Sequence, residues 1–201
     1  MIEQLAAVVD DLEGNLPRAV IVTGAGDVFC NGLDLNPTMN PAVEQLLHAV
    51  QRHDREAIEG LLDRTRSALD RLTGLPVPVI AAVNGFALGG GCELAMACHH
   101  RVIVDDPKAV VGLPEVRLGM IPALGGTQRL PLLVGKAKAL EMMFKGLQLT
   151  PEEAERIGLV NAVFPAAELE ESLATEFELA TTTPAELILS KDCRGAASCD
   201  A

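Results

Sequence analysis

VIAAVNGFALGGGCELAMAC, residues 79–98, passes from a strand through a turn and three glycines into a helix. Val79 to Val83 is a short, wholly apolar run with β-branched residues, the pattern of a strand covered on both faces. Asn84-Gly85 turns the chain. Gly89, Gly90 and Gly91 then lead into a helical segment at roughly Cys92–Cys98. Three consecutive glycines lower stability through backbone entropy, so a bare turn does not need them. Their use is to let backbone approach a ligand closely, with N–H groups at the positive end of a helix aimed at a developing negative charge.

Working outward, the same alternation repeats. Upstream, apolar residues at Ile2, Leu5, Val8, Val9 and Leu12 recur at helical spacing until Gly14 and Pro17 stop them. Ala19 to Thr23 reads as a second buried strand, closed by Gly24 and Gly26. Residues 41–72 form an amphipathic helical region, broken near His53-Asp54. Downstream, Arg101–Val104 reads as a strand, Pro114-Glu115 opens a short helix, and further helices fall near 125–133, 135–145, 151–157 and 166–180. Strands alternating with helices predict an α/β fold. The 201 residues show no repeat or linker, so a single domain over 1–201 is expected.

Composition narrows the function. Hydrophobic residues reach 49% while aromatics are 2%, which predicts a core of Ala, Val, Leu and Ile. A formal charge of −12 argues against nucleic-acid partners, which need a clustered basic surface. The first residues are acidic instead of basic-then-apolar, and no run approaches the ~20 apolar residues of a membrane span, so a cytoplasmic protein without a membrane partner is expected. The five cysteines lack metal-site or secreted-scaffold spacing and read as reduced structural thiols.

Few residues are candidates for chemistry. The segment Phe29 to Leu35 reads as a loop after a strand. A dinucleotide fingerprint fails there, since Gly24-x-Gly26 would need a third glycine where Phe29 stands. Glu93 and Glu115 each sit in the first turn of a helix, where a carboxylate is commonly only a dipole partner. Together, across one strand, they can converge on one cleft, hold a water, and share the taking and giving of protons. His99 and His100 are adjacent, so on a strand they face opposite ways, and no metal site is expected.

The segments VIAAVNGFALGGGCELAMAC (79–98), GLPEVRLGMIPALGGTQRLPLLVGKAKALEMM (112–143), LTPEEAERIGLVNAVFP (149–165) and AVIVTGAGDVFCNGLDL (19–35) together resemble the enoyl-CoA hydratase/isomerase, or crotonase, family. The stretch HHRVIVDDPKAVVGLPEV is similar to the hydratase part of multifunctional fatty-acid-oxidation proteins. The resemblance implies a spiral of ββα units, and hydration of a 2-enoyl thioester of coenzyme A. By position it places the catalytic carboxylates at Glu93 and Glu115 and the oxyanion-hole N–H groups at Leu33 and Gly90. Substrate binding falls to Leu33, Asp34, Leu35, Asn36, Gly89 and Ala123. Coenzyme A enters as part of the substrate, and no separate cofactor is implied.

The family pattern leaves other readings open. They are a Δ3,Δ2-enoyl-CoA isomerase, a decarboxylase or dehydratase acting on coenzyme A or acyl-carrier thioesters, and a non-catalytic subunit that binds acyl thioesters. Leu33 stands where Ala is more usual, Ala123 where Gly is usual, and Asn36 where Lys is common. Relative to the family, the N-terminal hairpin and the C-terminal helices are expected to be missing. The homotrimer or hexamer that the family implies is then expected to be weakened.

Overall fold

The computed structural model describes residues 2–36, 38, 40–169 and 186–190. Helix α1 (Ile2–Gly14) buries Leu5, Val9 and Leu12 along one stripe. Strands β1 (Val20–Gly24) and β2 (Val28–Cys30) follow. Helix α2 (Pro41–Gln51) starts with Pro41 behind an Asn40 cap, and α3 (Arg55–Thr73) starts behind Asp54, whose carboxylate accepts from Ala57 N–H at 3.0 Å. The expected break at His53-Asp54 is there, with His53 in the left-handed region at φ 53.

Strands β3 (Val79–Val83) and β4 (Phe86–Leu88) run into α4 (Gly90–Ala97). Next come β5 (His100–Val104), β6 (Val111–Gly112) and a 3₁₀ turn at Glu115–Leu118. Helices α5 (Gly126–Val134) and α6 (Lys136–Lys145) and strand β7 (Gln148–Leu149) lead to α7 (Pro151–Arg156), which opens on a Thr150/Glu153 capping box. Strand β8 (Ala162–Phe164) and a second 3₁₀ turn at Ala166–Glu168 complete the continuous part, with β9 (Glu186–Ser190) apart. The helix read over 166–180 meets the described residues only at its start.

Two sheets organise these elements. The larger, in order β8-β5-β3-β1-β9, is parallel throughout, and the smaller runs β2-β4-β6-β7. Successive pairs β1-β2, β3-β4 and β5-β6 each step from the larger sheet to the smaller, so the ββα units advance as a spiral. At the corners, the Asn84 amide accepts from Gly24 N–H at 3.0 Å and donates to the Gly24 carbonyl at 2.9 Å, tying one unit to the next. Every residue of β3 is buried, which explains its unbroken apolar sequence. One apolar cluster runs from Leu5 through both sheets to Leu169.

Three expectations change. Phe29 and Cys30 belong to β2, so the loop starts at Asn31. Helix α4 begins at Gly90, two residues ahead of the expected Cys92, because Gly89 caps it at φ 55. His99 precedes β5 instead of lying on it. Its Nδ1 accepts from Val79 N–H at 3.0 Å, which leaves Nε2 to donate to the Thr73 carbonyl at 2.9 Å. Among the described residues no helix is long and apolar enough to cross a membrane.

Candidate active site

The site is built on the first turn of α4. A Cβ on Gly91 would lie 1.9 Å from the Cys30 carbonyl oxygen, so only glycine lets this turn sit against the end of β2. That approach carries the next residues with it. A Cβ on Gly32 would be 3.1 Å from Gly90 N, and one on Gly90 would be 3.9 Å from Leu33 N. The two backbone N–H groups expected from the sequence, of Leu33 and Gly90, therefore lie alongside each other. Gly89 N–H donates to the Gly112 carbonyl at 2.9 Å and ties the turn to β6.

Glu93, one turn into α4, is 2% exposed. Its Oε1 accepts from Leu124 N–H at 2.7 Å and from Gly126 N–H at 2.8 Å, while Oε2 takes neither bond. Burial raises its carboxyl above the ordinary range. The N–H groups of Gly126 and Leu124 and the charges of Arg129 and Arg66 oppose that rise.

Glu115 comes from the 3₁₀ turn after β6. Its Oε1 lies 3.3 Å from where a Cβ of Gly89 would stand, which puts the carboxyl beside the start of α4. Oε2 is buried with no hydrogen-bond partner in the protein. Burial pushes this carboxyl up to about 7, its own backbone N–H working against the rise and the charge of Glu93 adding to it. One carboxylate is thus gripped by backbone, and the other keeps its proton near neutrality. That is the division of labour general acid–base chemistry needs.

The remaining expected residues lie around this centre. Leu33 and Leu35 are 46% and 43% exposed. Between and after them, Asp34 Oδ1 accepts from Asn36 N–H at 2.9 Å and the Asp34 carbonyl from the Asn40 amide at 2.9 Å. This loop is an open, internally bonded rim. Ala123 sits in the loop that grips Glu93, with its carbonyl taken by Arg66 Nε at 2.8 Å. A cleft of about 510 Å³ between α2 and α3, lined by His48, Arg52 and Arg64 among others, contains neither glutamate.

Leu124 and Gly126, which hold Glu93, were not candidates from the sequence. Their signal was the Gly125-Gly126 pair ahead of a helix, a ready source of free N–H groups. Cys92, between Gly91 and Glu93, is a buried thiol pushed up to about 12, by burial first and then by the charges of Glu93 and Glu115. It stays protonated and inert.

Comparison with known proteins adds two findings. The model of a family described as enoyl-CoA hydratase/isomerase matches residues 1–192. Among solved structures, an enoyl-CoA hydratase from Geobacillus kaustophilus HTA426 is similar at 33% identity and a TM-score of 0.75, over 88% of this chain and 63% of that one. An enoyl-CoA hydratase from Bacillus anthracis matches at 36% identity and 0.74, over 89% and 65%. A putative enoyl-CoA hydratase from Thermobifida fusca YX, in complex with acetoacetyl-CoA, matches at 28% and 0.72, over 85% and 67%. The chain spans just under two thirds of the first two relatives, 63% and 65% of their lengths.

Proposed function

The chain belongs to the enoyl-CoA hydratase/isomerase family, and from that premise we propose that it adds water across the 2,3 double bond of a 2-enoyl thioester of coenzyme A. The observation that carries the reading is the pair of glutamates. Glu93 is fixed by two backbone N–H groups, and Glu115, whose Oε2 is buried without a hydrogen-bond partner, holds a proton at the same helix start. The Thermobifida fusca relative bound to acetoacetyl-CoA supports a coenzyme A thioester as the substrate class.

In this mechanism the thioester oxygen lies against the Leu33 and Gly90 N–H groups. Charge grows on that oxygen as the β-carbon is attacked, and each preorganised donor contributes roughly 3–4 kcal/mol to its stabilisation. Glu93 holds the water, and its free carboxylate oxygen takes a proton as the water oxygen bonds to the β-carbon. Glu115 delivers its proton to the α-carbon as the enolate collapses. The product is the 3-hydroxyacyl thioester, with Glu93 protonated and Glu115 ionised. Return of one proton from Glu93 to Glu115, directly or through solvent, restores the starting state. The exposed rim at Leu33, Asp34, Leu35 and Asn36 takes the coenzyme A portion, with Gly89 and Ala123 beside the acyl end.

Crotonyl-CoA tests this. Mixing it with the protein should bleach the absorbance of the conjugated enoyl thioester. Glu93→Gln should lose hydration by about 10²-fold or more, the usual size for a positioned acid or base, while keeping α-proton exchange in heavy water. Glu115→Gln should lose both. Moving a double bond needs one carboxylate whereas adding water needs two, so equal hydration in wild type and Glu93→Gln would sink the hydratase reading in favour of the isomerase.

A further inference from the structure

Of three successive peptide units, the first and third hold Glu93, and all three have a partner on the carbonyl side. The carbonyl of Ala123 and the N–H of Leu124 are two ends of one planar peptide group. Arg66 Nε, from α3, donates to that carbonyl at 2.8 Å, and the N–H donates to Glu93 Oε1 at 2.7 Å. The next carbonyl, of Leu124, accepts from Arg129 Nη1 at 2.9 Å. The third unit ends in Gly126 N–H on the same Glu93 oxygen at 2.8 Å, while its Gly125 carbonyl accepts from Arg129 N–H at 2.8 Å at the start of α5.

The loop between these bonds has little freedom. Gly125 has φ 104, and a Cβ there would lie 2.1 Å from Arg129 Nη1, so the guanidinium lies across the glycine. Arg129 is held in turn by Asp70 at 2.6 Å. Asp70 stands one turn beyond Arg66 on α3, so a single face of that helix braces the whole loop. Arg66 is exposed, bonds the loop at the Ala123 carbonyl, and its charge also acts on Glu93 through space.

Taking Glu93 as the group that activates water, the geometry points to Arg66 as a positioning residue that acts on it through the Ala123–Leu124 peptide. A cation bonded to the carbonyl polarises the same amide toward a stronger N–H donor, and it holds the amide plane in line with the carboxylate. Both effects favour the ionised form of Glu93 and its aim. The other charged or titratable groups around Glu93 are Arg129 on α5, Glu115 on the 3₁₀ turn and Cys92 on α4. All of these stay in place when Arg66 alone is changed.

The test titrates Glu93 directly in the free protein, by carboxyl ¹³C NMR with the resonance assigned through Glu93→Gln. Arg66→Ala should move the midpoint of Glu93 upward by about half a pH unit, the size expected for one solvated cation. Arg66→Lys, which keeps the charge, should restore most of it. Arg64→Ala, on the same helix but lining the α2–α3 cleft, should leave it alone. In hydration assays Arg66→Ala should lower kcat by about tenfold with KM held, because the residue aims a group and binds no substrate. The acidic limb of the kcat/KM profile, which reports the free enzyme, should follow the NMR midpoint. An unchanged midpoint in Arg66→Ala, or Arg66→Lys behaving like Arg66→Ala, overturns the proposal. Absence of hydration by the unsubstituted protein would sink the hydratase reading alone, since the titration needs no substrate.

Discussion

Glu115 keeps Oε2 buried without a hydrogen-bond partner in the protein, and a charge on that oxygen would lose its hydration with nothing to replace it. Folding therefore favours the protonated form and lifts the carboxyl from 4.5 to about 7. The consequence for stability has a definite sign. Below pH 4.5 both folded and unfolded chains hold the proton, and the contribution is fully present. Between 4.5 and about 7 only the folded chain holds it, so stability falls as pH rises through that window. The whole shift corresponds to about 3.4 kcal/mol, of which solvent screening at this half-covered group leaves about 2–3 kcal/mol. Glu115→Gln cannot titrate, so the variant should lose that much less between pH 5 and pH 8 than wild type. Urea midpoints at the two pH values measure the difference, and parallel losses in the two proteins would contradict the assignment of burial as the dominant cause.

Helix α4 shows how one element divides structure from chemistry between adjacent glycines. A Cβ on Gly91 meets backbone, the Cys30 carbonyl at 1.9 Å, and neither side can yield without opening the joint between α4 and β2. Gly91→Ala should cost about 3 kcal/mol or more of stability, the range for overpacking at a site that cannot relax. A Cβ on Gly90 is tight only against the tip of Leu124 at 3.3 Å, with Gly32 Cα at 3.6 Å and Leu33 N at 3.9 Å in ordinary contact. Gly90→Ala should keep the fold, yet its methyl fills the gap between the two proposed donors. Hydration should fall by about 10²-fold, as when one such donor is lost. Denaturation and rate measured on both variants check the contrast. A native-like midpoint for Gly91→Ala would refute the packing argument, and full activity in Gly90→Ala would refute the donor assignment.

The same helix marks what the sequence makes legible. The long elements announced themselves, because Val79–Val83 and the stripes of α1 and α3 carry full periods of apolar residues. The smaller sheet did not, since β2 and β4 have three residues and β6 and β7 have two, too few for any period. The start of α4 was placed late because glycines argue locally against helix, and here a close backbone contact outweighs their propensity. Glu93 and Glu115 stood out only as a pair. Their support was hidden, because Leu124 and Gly126 act through backbone N–H groups 31 and 33 positions from Glu93, where side-chain identity carries little signal. Arg66 looked like any solvated charge on a charge-rich helix.

On the scale of the whole molecule, the question is whether the two sheets open together. The apolar cluster is continuous: Cys30 on β2 in the smaller sheet, Cys92 and Cys98 at α4, and all of β3 with Val102, Ile103 and Val104 of β5 in the larger sheet belong to it. Cys30 is 0% exposed, and Cys92 and Cys98 are buried thiols pushed up to about 12 by burial above all. A thiol that is both covered and protonated reacts only after its surroundings open. With no Trp or Tyr in the chain, these cysteines are the natural reporters. If the core is one cooperative unit, pulses of iodoacetamide at rising urea should label Cys30, Cys92 and Cys98 with a single midpoint, resolved residue by residue by peptide mass spectrometry. That midpoint should coincide with loss of helical circular dichroism, as two-state unfolding requires. Labelling of Cys30 at clearly lower urea than Cys98 would mean that the smaller sheet opens alone. The joint between β2 and α4 that places Gly90 beside Leu33 would then be a locally mobile part of the site, and activity should vanish with the first transition instead of the second.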